Sequence, residues 1–255
     1  MILSGLLLIL AFAMLIYMAA WFVFGFLYLK RLDSLDSAWG LGFVYLAVIS
    51  LVIMDNYKII PLLSLLLVSI WGIRLFVHIT ARNMKKQEDV RYAVYRKKFA
   101  NNLNASVFTR LYLTQGALIL LISTASVAAI ISDDFIQPLA IAGLVVWTFG
   151  IFYEAVADLQ LSRFIRLKTG KIMTGGLWKY SRHPNYFGEI TAWSGAGIVA
   201  ASAGQYWGLI GPIVITYLLT RVSGIPLMEE KYKNDKSYQA YKKTTSVLIP
   251  LPPKH

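Results

Sequence analysis

The sequence predicts an all-α, polytopic membrane bundle of seven transmembrane helices, and three observations carry that prediction. Hydrophobic residues make up 57% of the 255-residue chain and charged residues only 15%, well outside the balance of a soluble domain. Apolar runs of membrane length recur from one end to the other, leaving no segment that would fold separately in water. The positive charge falls in alternate loops. One integral membrane domain over residues 1–255 is the expectation.

The seven spans are expected near residues 2–29, 39–54, 59–79, 108–131, 135–157, 186–203 and 206–220. Each is close to the ~20 residues that a hydrocarbon core of about 30 Å demands. The first run is longer than the apolar region of a signal peptide. It has neither a basic stretch before it nor a small-residue cleavage site before Lys30–Arg31, so it is kept in the mature chain. Pro61, Pro138 and Pro212 fall near span starts, where a missing N–H is tolerated. Between spans, Asp89–Phe99 and Met228–Tyr241 read as amphipathic helices lying on an anionic membrane surface. The ending IPLPPK reads as extended.

A formal net charge of +12 would suit a nucleic-acid binder, so its placement decides the matter. Of 25 Lys and Arg, two follow the first span, eight lie from Arg82 to Arg110, six from Arg163 to Arg182, and seven from Arg221 onward. The opposite loops carry Asp55, Lys58 and Asp133–Asp134. That asymmetry is the positive-inside pattern and predicts the N-terminus outside and the C-terminus in the cytoplasm. There is no basic stripe on a soluble face, and nucleic acid is not an expected partner. With no cysteine, disulfides, thiolate nucleophiles and cysteine-ligated metals are excluded. Three histidines, one of them terminal, speak against a histidine-rich metal centre, and no metal ligand is expected. Soluble-type dinucleotide, nucleoside-triphosphate, zinc-protease and serine-hydrolase motifs are absent from the sequence.

The informative residues are ionisable groups at membrane depth, which are costly unless they face protein or water. Arg74 lies mid-span, with His78 and Arg82 at i+4 and i+8 on the same helical face. Glu154 and Asp158 repeat the spacing at the cytoplasmic end of the fifth span. Asn185 and Glu189 do so at the start of the sixth, with Trp193 one turn on, and Arg221 closes the seventh. Snorkelling accounts for Arg82, Asp158 and Arg221 one by one, but poorly for Arg74, Glu154 and Glu189. Four spans that bring polar groups to one leaflet predict a cytoplasm-facing polar cavity. The basic segment Arg163–Lys179, which includes Arg166 and a Gly-Gly turn, offers a surface for phosphates.

YSRHPNYFGE (180–189), ADLQLSRF (157–164), HITAR (78–82) and the ending IPLMEEKYK…YKKTTSVLIPLPPK together resemble the membrane steroid 5α-reductase-like family, in its bacterial branch. The resemblance covers most of the chain from Trp71 onward. RHPNY alone is less specific, because sterol reductases and isoprenylcysteine carboxyl methyltransferases carry similar elements. The resemblance implies a bundle in the bacterial inner membrane that holds NADPH from the cytoplasmic side. It implies hydride transfer to a carbon–carbon double bond conjugated with a carbonyl in a lipophilic substrate, steroid-like or isoprenoid. By position it places Asp158, Asn185, Glu189 and Arg221 on cofactor-binding positions, with Arg82 following HITA. Tyr180, Arg182 and His183 belong to the same block, and Glu154 stands where the animal enzymes have asparagine. Those enzymes place a tyrosine directly after the HITAR histidine, where this chain has Ile79. Arg74 or His78 is the expected donor to the enone oxygen instead.

Two readings from other classes compete. An S-adenosylmethionine-dependent membrane methyltransferase is favoured by RHPNY and by Glu229–Glu230. A non-catalytic lipid-binding scaffold would need its buried charges only for one another. No obligate protein partner is indicated; a lipophilic small molecule and membrane lipid are the expected partners.

Overall fold

The computed structural model describes residues 2–84, 88, 90–167 and 172–254. Six of its helices are long and apolar enough to cross a membrane: α1 (Leu3–Tyr28), α2 (Ser34–Met54), α3 (Ile59–Asn83), α5 (Ala100–Ile122), α7 (Gln137–Leu167) and α9 (Tyr206–Lys231). Four shorter elements complete the order: α4 (Val90–Lys98), α6 (Thr124–Ile130), α8 (Pro184–Ser202) and α10 (Lys236–Thr244). Among the described residues every regular element is helical, and the extended pairing is a single parallel bridge between Ser181 and Ser246.

Large apolar side chains point outward, with Leu8 73%, Phe152 71% and Ile213 67% exposed. In water each would forfeit about 1.5–3 kcal/mol of transfer free energy, whereas hydrocarbon carries no such penalty. The outward apolar surface therefore matches a lipid environment.

Helix ends differ from the sequence expectation in a consistent way. The third helix runs to Asn83 rather than residue 79, and the fifth expected span is a 31-residue helix ending at Leu167 rather than 157. Hydropathy marks where hydrocarbon ends, but backbone N–H to C=O bonds go on closing in water. Arg82, Asp158 and Arg166 are consequently helical. The fourth expected span is two helices, α5 and α6, separated at Ser123. The sixth is α8, a 19-residue helix that is not among the six apolar ones. Asn185, Glu189, Thr191, Ser194 and three glycines dilute its hydropathy.

The described chain forms two compact units, residues 1–135 with 203–208, and residues 136–202 with 209–255. In the first, α2 and α3 cross where two glycines meet. A Cβ on Gly40 would lie 2.3 Å from the Gly72 carbonyl oxygen. Beside this crossing Trp71 packs edge-on against Phe43, ring centroids 5.5 Å apart. The polar end of the unit is laced together: Arg31 pairs with buried Asp33 at 2.7 Å and donates to the Asn83 carbonyl, Arg96 pairs with Glu88 at 2.9 Å, and the Tyr92 hydroxyl donates to Asp36 at 2.7 Å.

In the second unit α7 and α8 run antiparallel and touch backbone to backbone. A Cβ on Gly188 would lie 2.5 Å from the Glu154 nitrogen, one on Gly150 2.3 Å from the Ala192 nitrogen, and one on Gly195 2.4 Å from the Trp147 nitrogen. Small residues at the contact allow the close approach that lipid-embedded helices rely on for van der Waals packing.

Candidate functional site

The α7–α8 register follows from those glycine contacts and assembles the polar residues. Glu154 lies level with Gly188, the residue before Glu189 in α8, and one turn further along α7 Asp158 lies level with the head of α8, where Asn185 stands. Gly150 opposes Ala192, which sets buried Trp193 one turn deeper. Glu154 is only 3% exposed. Four of the residues singled out in the sequence thus flank one helix crossing. The Tyr153 ring packs edge-on against Phe187 at 5.4 Å along the same seam.

The chain enters α8 through a buried, hydrogen-bonded turn. A 3-10 segment, Gly176–Lys179, is tied to α7 by the Leu177 N–H, which donates to Gln160 Oε1 at 2.9 Å, and by the Trp178 indole, which donates to the Ala157 carbonyl at 3.1 Å. Ser181, Arg182, His183 and Pro184 are all buried. Pro184 opens the helix, where its missing N–H costs nothing.

His183 is 3% exposed, and its ring stacks on Tyr186 with centroids 5.3 Å apart and planes 4° from parallel. Its backbone N–H donates to Ser181 Oγ, while Nε2 has no hydrogen-bond partner among the described residues. Burial, reinforced by the neighbouring Arg182 cation, pushes its pKa down to about 4, so the imidazole is neutral at physiological pH. A buried neutral imidazole with an unpartnered nitrogen can still take one hydrogen bond, and leaving that bond unmade costs about 1–3 kcal/mol.

Arg182 is engaged within the fold. Its Nε and Nη2 donate to Glu229 Oε1 at 3.1 and 2.6 Å, and Nη1 donates to the carbonyls of Thr245 at 2.6 Å and Lys242 at 3.2 Å. Lys242 pairs with the other Glu229 oxygen. Tyr180 is exposed, and its carbonyl accepts from the Leu251 N–H at 3.0 Å. Arg166 is exposed in the last turn of α7; Arg221 is exposed in a π-helical turn, Leu218–Val222, inside α9. Arg163–Lys179 is only partly visible, because residues 168–171 lie outside the described residues, as does Asp89.

Arg74, His78 and Arg82 belong to the first unit and lie on α3 at the expected four-residue spacing. Arg74 and His78 are partly buried; Arg82 is exposed and donates to Asn83 Oδ1 at 3.3 Å. The sequence reading missed Ser181, which accepts from His183 and donates to the Leu248 carbonyl at 2.7 Å, and the pairing of Arg182 with Glu229. A lone serine and a glutamate 47 residues away give no sequence signal.

Residues 21–245 match the family described as "Protein of unknown function (DUF1295)", nearly nine-tenths of the chain. The chain belongs to this family. It is also similar to the "3-oxo-5-alpha-steroid 4-dehydrogenase 1" of Rattus norvegicus, 27% identical over 127 residues, 48% of this chain and 46% of that protein. The protein of the same name from Bos taurus is 30% identical over 128 residues, again 48% and 46%. A "Probable O-methyltransferase ustE" of Ustilaginoidea virens is 30% identical over 79 residues, 30% of this chain and 27% of that one. The chain thus spans under half the length of the steroid relatives it matches. No solved structure matches. The steroid 5α-reductase-like resemblance seen in the sequence blocks is supported by these relatives.

Proposed function

We propose that this protein is an NADPH-dependent membrane reductase of the bacterial inner membrane. In this reading it is one seven-span domain, N-terminus outside, that reduces a carbon–carbon double bond conjugated with a carbonyl in a lipophilic substrate, a 3-oxo-4-ene steroid or an isoprenoid. The observation that carries the reading is the polar crossing of α7 and α8, where Glu154 is buried and Asp158, Asn185 and Glu189 are half-buried. The register there is consistent with Glu154, Asp158, Asn185 and Glu189 flanking one crossing, and at the head of α8 the neutral His183 has an Nε2 with no hydrogen-bond partner among the described residues. Such a donor–acceptor set fits a polar heterocycle carrying an amide. The relatives named as steroid dehydrogenases favour the same chemistry.

NADPH, when bound, supplies the hydride. In this reading Asn185 and Glu189 hold the nicotinamide amide, Asp158 and Glu154 line its floor, and His183, Tyr180 and Trp193 border it. Arg166, Arg221 and Arg82 are exposed guanidinium groups that meet the pyrophosphate and 2′-phosphate by charge-assisted bonds. Arg74 and His78 donate to the carbonyl oxygen as negative charge develops there.

The test is thermal unfolding in detergent. NADPH at 100 times its Kd stabilises by about 2.7 kcal/mol, and NADH, lacking the 2′-phosphate, stabilises much less at equal concentration. Equal shifts overturn the reading. S-adenosylmethionine belongs in the same experiment, because the O-methyltransferase match favours a methyltransferase as the second reading. A shift with that ligand alone would establish it. Against it, Glu229 of the Glu-Glu pair is already engaged by Arg182 and Lys242.

A further inference from the structure

Arg182 precedes His183 directly and Asn185 by three residues, yet its three nitrogens all bond toward α9, α10 and the residue that ends α10. The C-terminal segment then returns along residues 180–182. The Arg182 N–H donates to the Ser246 carbonyl at 2.8 Å, the Leu251 N–H to the Tyr180 carbonyl at 3.0 Å, and the Ser181 hydroxyl to the Leu248 carbonyl at 2.7 Å. The buried Tyr241 hydroxyl donates to the carbonyls of Trp178 and Ser181. Ser181 Oγ also accepts from the His183 N–H at 3.1 Å, so one oxygen links the tail to the histidine.

We propose that the Arg182–Glu229 ion pair is a positioning clamp: it holds residues 245–254 against the entry to α8 and thereby sets where His183 and Asn185 meet the dinucleotide. The inference rests on the reductase reading only for the identity of that ligand. Arg182 acts through its neighbours and does not itself touch the cofactor. A largely buried ion pair, even one whose carboxylate Lys242 shares, is a poor way to gain stability, because desolvation cancels most of the attraction. It is a good way to fix geometry, since the planar guanidinium fork accepts one arrangement of a carboxylate and two carbonyls. Orientation matters here because a pre-set site does not spend binding energy on ordering itself.

The experiment uses the full chain in detergent, with amide hydrogen exchange read by mass spectrometry and NADPH affinity read by tryptophan fluorescence. For Glu229→Gln, faster exchange is expected in residues 245–254 and also in the first turn of α8, where the Phe187 N–H bonds to the His183 carbonyl. NADPH Kd is expected to rise about 10-fold or more, the scale of a lost charge-assisted hydrogen bond or of lost preorganisation. Arg182→Lys, which keeps the charge but not the fork, should behave alike. Faster exchange confined to 245–254, with the first turn of α8 and NADPH affinity unchanged, overturns the proposal. Should Glu229→Gln fail to fold, Ser181→Ala keeps the ion pair and cuts the link to His183. It must then loosen the head of α8 and weaken NADPH, or the proposal falls. If the wild type binds no NADPH, the reductase reading is lost, while the exchange pattern still decides whether the clamp orders α8.

Discussion

At the scale of single residues, His183 gives a prediction with a definite sign. Its folded pKa of about 4 lies below the ordinary value of 6.5. Between those values the unfolded chain binds a proton that the folded chain refuses, so stability rises with pH across the window and is lost as pH falls from 6.5 toward 4. A shift of that size corresponds to about 3 kcal/mol. The Arg182 cation opposes protonation and the Glu229 carboxylate favours it, with burial the larger effect. The melting temperature of the wild type should therefore fall more steeply than that of His183→Gln over this range. Parallel profiles would show that His183 is hydrated and normal. On α3, Arg74→Leu should leave the NADPH-induced melting shift intact and reduce turnover of a 3-oxo-4-ene steroid probe at least ~100-fold, as for other donors to a developing oxyanion. Loss of the monodisperse peak in size-exclusion chromatography would mean instead that Arg74 holds the bundle. The sequence made these residues conspicuous because charge at membrane depth is rare. It gave no hint that Arg182 and Glu229 spend their charges on each other, since partners 47 residues apart share no helical period.

At the scale of elements, the α7–α8 crossing is the feature on which the site depends, and it depends on the absence of a few side chains. Gly188→Ala would put a methyl group 2.5 Å from the Glu154 backbone nitrogen, so one helix must move. Overpacking of this kind costs about 1–3 kcal/mol, and the displaced Glu154 and Glu189 should weaken NADPH as well. Gly5→Ala on α1 is the control: nothing lies within 4 Å of the added methyl, and alanine's helix propensity favours it by up to ~1 kcal/mol. Melting in detergent should fall for the first and hold or rise for the second; equal behaviour would mean that the two helices are not in contact. The long apolar helices were legible from their length, and the i,i+4 spacing of Glu154 with Asp158 and of Asn185 with Glu189 was legible as well. Their ends were not, because hydropathy reports the solvent rather than the hydrogen-bond ladder. The π-helical turn that carries Arg221 was not legible either, as an i→i+5 turn has no composition of its own.

At the scale of the whole molecule, the question is whether α8 crosses the membrane, because six crossings put both termini on one side and seven put them on opposite sides. Nineteen residues at 1.5 Å each span about 28 Å, enough for a hydrocarbon core. Its polar residues are a cost in lipid but not against α7, which covers Gly188, Ala192 and Gly195. The placement of charge favours the crossing. If α8 did not cross, the seven Lys and Arg from Arg221 onward would lie outside, against the positive-inside rule, whereas a crossing α8 keeps them with the basic loop that precedes it. Because the chain contains no cysteine, single substitutions report their side cleanly. Asp134→Cys and Tyr206→Cys should react with a membrane-impermeant maleimide in intact cells. Arg166→Cys and Lys243→Cys should react only after permeabilisation. Labelling of Lys243→Cys in intact cells would reduce the crossings to six and put the residues after α9 across the membrane from Arg182, which stays in the basic loop before α8, although the two ends of the clamp are in direct contact. His183 and Asn185 would still face the cytosol, but the ion pair and the carbonyls that hold Arg182 could not, so that outcome would overturn the clamp and the seven-span topology together.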